Sequence, residues 1–183
     1  LPKQSQFTVG LLGRLSPEKG VLEFLQTLIP YLPNHPDWRI LIAGEGEQRA
    51  EIEKLAKNNK QIQILGFVYN LDEFFSGISV LCYPTLVPES FGLAAAEAIA
   101  RGIPVIASNL GALPEIIKHE ETGYLIDFPP LERGGVGRGR VWIEYLEKLT
   151  NPELYKKMSA AALAIAQTFS ETKMFTAFHK LLN

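Results

Sequence analysis

FTVGLLGRLSPEKGVLEFLQTLIPYL, residues 7–32, runs from a short apolar stretch through a polar turn into a segment of apolar residues at helical spacing. The first part, FTVGLLG (7–13), has no polar alternation and reads as a strand covered on both faces. The last part, GVLEFLQTLIPYL (20–32), reads as an amphipathic helix. The same pairing recurs down the chain. WRILIAG (38–44), IQILGFV (62–68), ISVLCYP (78–84) and IPVIAS (103–108) are further near-continuous apolar runs, and GYLID (123–127) is a shorter one. EQRAEIEKLAKNN (47–59), LDEFFSG (71–77) and residues 91–101 supply the helical crossovers between them. Strands alternating with helices predict an α/β chain, a doubly wound parallel sheet of about six strands with helices on both faces.

Beyond Asp127 the pattern changes. FPPLERGGVGRGR (128–140) is rich in proline, glycine and arginine and predicts a flexible surface loop. Its arginines suit either an anion or plain solvation. Helices are expected at about 141–149, 152–168 and 171–182, with Asn151-Pro152 and Ser170 as start signals. The opening LPKQSQ (1–6) reads as a polar connector, and a chain beginning at Leu1 is expected to be part of a longer protein.

Composition narrows the function. The 183 residues are 46% apolar and 21% charged, which suits one folded domain. Eighteen basic against twenty acidic residues, a formal charge of −2, argue against a nucleic-acid surface. No apolar run approaches the ~20 residues of a membrane span, although peripheral contact by a larger protein stays open. A lone cysteine, Cys82, forms no internal disulfide and fits a reducing, cytoplasmic setting. His35, His119 and His179 are scattered, and no Asp/Glu/His cluster has metal-ligand spacing, so no metal is expected.

Ligands of doubly wound sheets bind where strands lead into helices. In GLLGRLSPEKG (10–20), Ser16-Pro17 looks like a helix cap followed by a first-turn proline, which puts Lys19 in the first helical turn beside Arg14. Two cations there suit an anion, although a solvated basic turn is the plainer alternative. The spaced glycines lack the full dinucleotide fingerprint. In YPTLVPESFGL (83–93), Ser90 can cap the next helix, leaving the amides of Phe91, Gly92 and Leu93 exposed to an anion. Glu97 then sits among alanines on that helix and needs donors, either ligand hydroxyls or an arginine of the protein.

GRLSPEKG, PESFGLAAAEAIARGIPVIAS and GALPEII, in that order, resemble the nucleotide-sugar-binding half of glycosyltransferase family 4, also called group 1. The closing NPELYKKMSAAALAIA and FSETKMFTAFHKLL extend the likeness through nearly the whole chain. Glu89 and Glu97, with seven residues between them, match that family's E-x7-E pattern. The resemblance implies a Rossmann-like domain, one half of the two-domain GT-B architecture, spanning 1–183 as a single donor-binding domain. It implies a nucleoside-diphosphate sugar as donor substrate, no cofactor, and retention of configuration. Arg14 and Lys19 would hold the diphosphate. Glu89 would bind sugar hydroxyls, with Ser90 and the amides of Phe91, Gly92 and Leu93 beside it. Glu97 would take the ribose, and Gly66, Phe67 and Val68 would lie along the base. Arg14, Lys19 and Glu89 would be the catalytic groups. Nothing here matches the acceptor-binding N-terminal domain, so the isolated chain is expected to be inactive in transfer. The stretch 128–140 departs from the short proline-glycine-acid turn usual in the family. Another GT-B enzyme such as a sugar-nucleotide epimerase, or a non-catalytic nucleotide-sugar-binding module, would share the same motifs.

Overall fold

The computed structural model describes residues 6–127 and 138–168. Six strands form one parallel sheet: β1 (Phe7–Leu12), β2 (Trp38–Ala43), β3 (Ile62–Gly66), β4 (Val80–Tyr83), β5 (Val105–Ser108) and β6 (Gly123–Ile126). Their order is β3-β2-β1-β4-β5-β6, and every pairing is parallel. The winding therefore runs outward from β1 in one direction, then restarts at β4 and runs the other way. Each expected strand is present. One differs in character: β3 is an edge strand in which Ile62 and Ile64 pack on the core while Gln63 and Leu65 on its other face are exposed.

Helices α1 (Val21–Leu28), α2 (Arg49–Ala56), α3 (Leu71–Ser76), α4 (Leu93–Ala100), α5 (Leu113–Ile116), α6 (Arg138–Leu149) and α7 (Pro152–Thr168) follow in chain order. Alternate strand residues face opposite layers. Val9, Leu11, Ile40, Ile42, Val80, Cys82 and Ile106 meet α1, α2 and α6 through Phe24, Leu25, Ile52, Trp142 and Leu146. Leu81, Val105 and Ala107 meet α3, α4 and α5 through Phe74, Phe75, Ala95, Ile99 and Leu113. Helix α7 packs on α4, with Ala162 in that second layer.

Several helix ends differ from expectation, for local reasons. The helix expected over 20–32 stops at Leu28, and Ile29–Asn34 continues as a 3₁₀ turn, since Pro30 and Pro33 have no N–H to donate. Helix α6 already includes Arg138, so residues 138–140 belong to a helix rather than to the loop expected over 128–140. Arg140 pairs with Glu144 one turn along, at 3.1 Å. The rest of that loop, residues 1–5 of the connector 1–6, and the helix over 171–182 with its Ser170 start signal lie outside the described residues. The Asn151-Pro152 start signal holds: the Asn151 side chain accepts from the amides of Glu153 and Leu154 at 3.0 and 3.1 Å. The short α5 was not expected. Its stretch, Gly111 to Ile117, closes against the loop before α4. The amide of Ala112 donates to the carbonyl of Glu89 at 2.8 Å, and a methyl group on Gly111 would lie 2.3 Å from that oxygen.

Gly111 also has φ +60°, so a side chain there is both strained and obstructed. Gly111→Ala is expected to cost more than about 2 kcal/mol in urea unfolding. Gly77→Ala, whose methyl would sit an ordinary 3.4 Å from Phe74 O, should stay within about 0.5 kcal/mol. Equal midpoint shifts for the two variants would refute the close approach.

Candidate functional site

Between β1 and β4 the two helices that follow leave in opposite layers, and the loops after those strands part around a cleft. Leu12, Gly13, Arg14 and Lys19 line it on one side, and Cys82, Tyr83 and Pro84 on the other. A reversal of winding leaves such an opening at the carboxyl ends of the strands, where ligands of doubly wound sheets bind.

The cleft's rims are tied to each other. After β1, Pro17–Lys19 form one 3₁₀ turn, closed by Lys19 N to Ser16 O at 2.9 Å. Ser16 and Pro17 do take the cap and first positions of this turn, but the Ser16 hydroxyl donates to Glu18 Oε1 at 2.7 Å instead of capping, and α1 begins only after Gly20. Lys19 thus precedes α1 instead of standing in its first turn. Across the cleft the amide of Leu86 donates to Glu18 O at 2.8 Å and the Thr85 hydroxyl to the same oxygen at 3.2 Å.

Those ties bring together two residues seventy positions apart. Lys19 Nζ meets Glu89 Oε1 at 2.5 Å, with the side chains 26% and 13% exposed. The Tyr83 phenol stands near the same carboxylate, whose charge acts on it. Arg14 is exposed on the rim beside them.

The next helix is capped differently from expectation. Gly92, not Ser90, stands at the N-cap of α4, in the left-handed conformation with φ 62° and ψ 45°. Its missing side chain leaves room for Leu113, whose Cδ2 would lie 2.7 Å from a methyl there. The first helical bond runs from Ala96 N to Gly92 O. The amides without a helical partner are therefore those of Leu93, Ala94 and Ala95, two residues later than expected. Phe91 and Leu93 are exposed beside them.

Glu97 has a protein partner. Arg101, one turn along α4, donates to its carboxylate and reaches on to Asp72 Oδ1 of α3 at 2.7 Å, with its guanidinium 4.9 Å from the centre of the Phe75 ring. The Glu97 side chain is 46% exposed, so the carboxylate is not the unpaired buried acid the alanine-rich sequence suggested. Gly66 ends β3 with its carbonyl on the amide of Gly44 at 2.7 Å. Val68 is half-buried, while Phe67 stands exposed against Tyr69, ring centres 4.8 Å apart.

Of the residues singled out from sequence, the structure thus joins Lys19 to Glu89 and sets Arg14 on the same cleft. It places Glu97 with Arg101 and leaves residues 66–68 two strands away, at the end of the edge strand and in the loop after it. Tyr83 was overlooked, although its place as the last residue of β4, ahead of Pro84, marks it. Cys82, beside it, is fully buried and burial pushes its thiol up, which keeps it protonated and inert. His35 stacks on Trp38 at 4.0 Å, and His119 Nδ1 accepts from the amide of Leu125, so neither is idle on the surface; His179 lies outside the described residues. Among the described residues no three His, Cys, Asp or Glu side chains gather as metal ligands. No described helix is long and apolar enough to cross a membrane.

The family model for glycosyl transferases group 1 matches residues 1–133. The chain belongs to that family. It is 30% identical over 176 residues to a phosphatidyl-myo-inositol mannosyltransferase of Mycobacterium tuberculosis, covering 92% of this chain and 44% of the relative. Among solved structures, the C-terminal domain of a group 1 family glycosyl transferase (LpcC) of Francisella tularensis superposes with a TM-score of 0.75 at 26% identity, covering 89% of this chain and 85% of that one. Anabaena HepE in complex with UDP and glucose shares the fold, with a TM-score of 0.79 at 22% identity over 97% of this chain and 48% of that one. The group 1 chain spans from 13% to 50% of the length of the first curated relatives it matches. Its Rossmann-like sheet is of the GT-B kind.

In this group 1 fold, burial first, then the charge of Glu89, hold the Tyr83 phenol well above the ordinary value of about 10. The native state then keeps a proton that the unfolded chain has already lost. Stability from this group is intact below about pH 10 and falls as pH climbs further. Tyr83→Phe removes that share, so unfolding free energy plotted against pH should fall less steeply from about pH 10 to 12. Tyr124, Tyr145, Tyr155 and Cys82, all held above their ordinary values, maintain a residual slope. An unchanged slope in urea titrations would separate Tyr83 from the pair.

Proposed function

We propose that residues 1–183 form the donor-binding domain of a retaining, family 4 glycosyltransferase that moves a sugar from a nucleoside-diphosphate sugar to an acceptor. The observation that carries this reading is the cation–carboxylate pair, Lys19 with Glu89, placed with Arg14 on the cleft where the winding reverses. Charge builds on the departing diphosphate, and fixed cations beside it stabilise that charge as it develops. Arg14 and Lys19 take that role, helped by the amides of Leu93 and its neighbours at the start of α4. Glu89, backed by Tyr83, receives hydroxyls of the transferred sugar. Ser90, Phe91 and Gly92 line its approach.

Glu97 takes the ribose hydroxyls. Arg101 fixes the direction of its carboxylate, and a carboxylate has enough lone pairs to accept from an arginine and a ribose together. Gly66, Phe67 and Val68 lie along the base. No cofactor enters this scheme. Attack on the face from which the diphosphate departs keeps the sugar's configuration. The acceptor would be held by an N-terminal domain of the same protein, without which transfer loses the proximity that supplies much of the rate. A cytoplasmic setting supplies the nucleotide sugars.

The test is a saturation-transfer NMR screen of UDP-, GDP- and ADP-sugars against the chain. Binding of one of them is expected; silence from all would overturn the reading. Arg14→Ala should then weaken the matching nucleoside diphosphate by about tenfold or more while leaving the nucleoside unchanged, because a charge-assisted contact contributes roughly 1.5–3 kcal/mol. Calorimetry on the two ligands decides it. Glu97→Gln should erase the preference of the wild type for the ribonucleotide over its 2′-deoxy form, as a site built around a hydroxyl loses most when that hydroxyl is missing. An undiminished preference would assign Glu97 to the Arg101 contact alone.

A further inference from the structure

Across the cleft the two groups that would grip opposite ends of a donor grip each other. Lys19 Nζ and Glu89 Oε1 are 2.5 Å apart and largely covered. Their backbones are anchored independently of that contact. Lys19 sits in the closed 3₁₀ turn, which Leu86 and Thr85 hold through Glu18 O. Glu89 is pinned by Ala112 N on its carbonyl and by the close approach of Gly111. Opening the pair therefore requires only that the flexible lysine arm swing; the loops stay put.

What opening costs depends on what arrives. An isolated diphosphate draws Lys19 away and leaves Glu89, 13% exposed, without its cation. Breaking one partner from a covered ion pair is costly because the other charge is stranded. An intact nucleotide sugar brings hydroxyl donors for Glu89 at the same moment as it brings phosphates for Lys19. We propose that the Lys19–Glu89 pair is a discriminator that disfavours free nucleoside diphosphate, the product, against the intact sugar donor. This rests on the donor-site reading above. Product release is thereby favoured without loss of affinity for substrate, since the pair re-forms only after the sugar has left.

Calorimetry on the 183-residue chain tests it with two probes, inorganic pyrophosphate and the nucleotide sugar that binds among UDP-, GDP- and ADP-glucose. Glu89→Gln keeps the side chain's shape and frees Lys19. It should tighten pyrophosphate by about fivefold or more and weaken the nucleotide sugar, reversing their order of preference. Removing a nearby negative charge alone would also favour an anion, so the decisive reading is the double variant. In a Lys19→Met background, Glu89→Gln should no longer tighten pyrophosphate by more than about twofold, because no arm remains to be released. Urea midpoints confirm that each variant is folded. Unchanged or weaker pyrophosphate binding by folded Glu89→Gln overturns the discriminator, as does a gain that survives in the Lys19→Met background. A wild type that binds pyrophosphate but no nucleotide sugar overturns the donor reading instead, whatever the variants do.

Discussion

The reversal of winding between β1 and β4 is the constraint on which the rest depends. Two parallel strands whose crossovers leave in opposite layers cannot have their following loops lie side by side, so an opening forms between them. Here that opening is bridged rather than left loose. Glu18 O receives both the Leu86 amide and the Thr85 hydroxyl, which holds the rims at a fixed separation. A lysine from one rim and a glutamate from the other then meet without any secondary-structure element in common. The same stitching continues to the next loop through Ala112 and Glu89. Three successive carboxyl-end loops thus form one connected backbone network, and the charged side chains stand on it.

The sheet was legible because its signal is dense. Strands buried on both faces need every residue apolar, and Val9, Leu11, Ile40, Ile42, Val80 and Ile106 report that requirement position by position. Helix ends were less legible because their caps are settled by distant contacts. Ser90 is the better cap by intrinsic preference, yet Gly92 takes the position, since only a residue without a side chain admits Leu113. Ser16 likewise has the composition of a cap, but its hydroxyl is engaged by Glu18 two residues on. Pro30 and Pro33 end α1 at Leu28 even though the apolar spacing runs on to residue 32.

The charged residues of the site were legible singly, and their partners were not. Nothing local in GRLSPEKG or PESFGL shows that Lys19 reaches Glu89, because that contact exists only once the sheet order puts β1 beside β4. The partner of Glu97 is of the opposite kind. Arg101 lies four residues on, the spacing at which two side chains share a helix face. The EAIAR pattern states that pair without any knowledge of the fold. The sequence reading left the arginine as an alternative to ligand hydroxyls, and the structure supplies it.

The two glutamates consequently carry their charge under different terms. Glu89 is 13% exposed and pairs its carboxylate with a cation on a separate loop, beside the half-buried Tyr83 phenol. Glu97 is 46% exposed, and its partner Arg101 is also committed to Asp72 and to the face of Phe75. Pairs this open to water contribute little, of the order of 0–1 kcal/mol. Arg101 is therefore better understood as a strut between α3 and α4 that aims the Glu97 carboxylate than as the group that neutralises it. A ligand hydroxyl can join Glu97 without displacing anything. A ligand reaching Glu89 must first contend with Lys19. If both acids meet one donor, the outer one adds affinity directly, while the inner one exchanges a protein partner for a ligand partner. Selectivity between related ligands is set at the exchange, where the wrong ligand leaves a charge stranded, and not at the addition, where it merely forgoes a hydrogen bond.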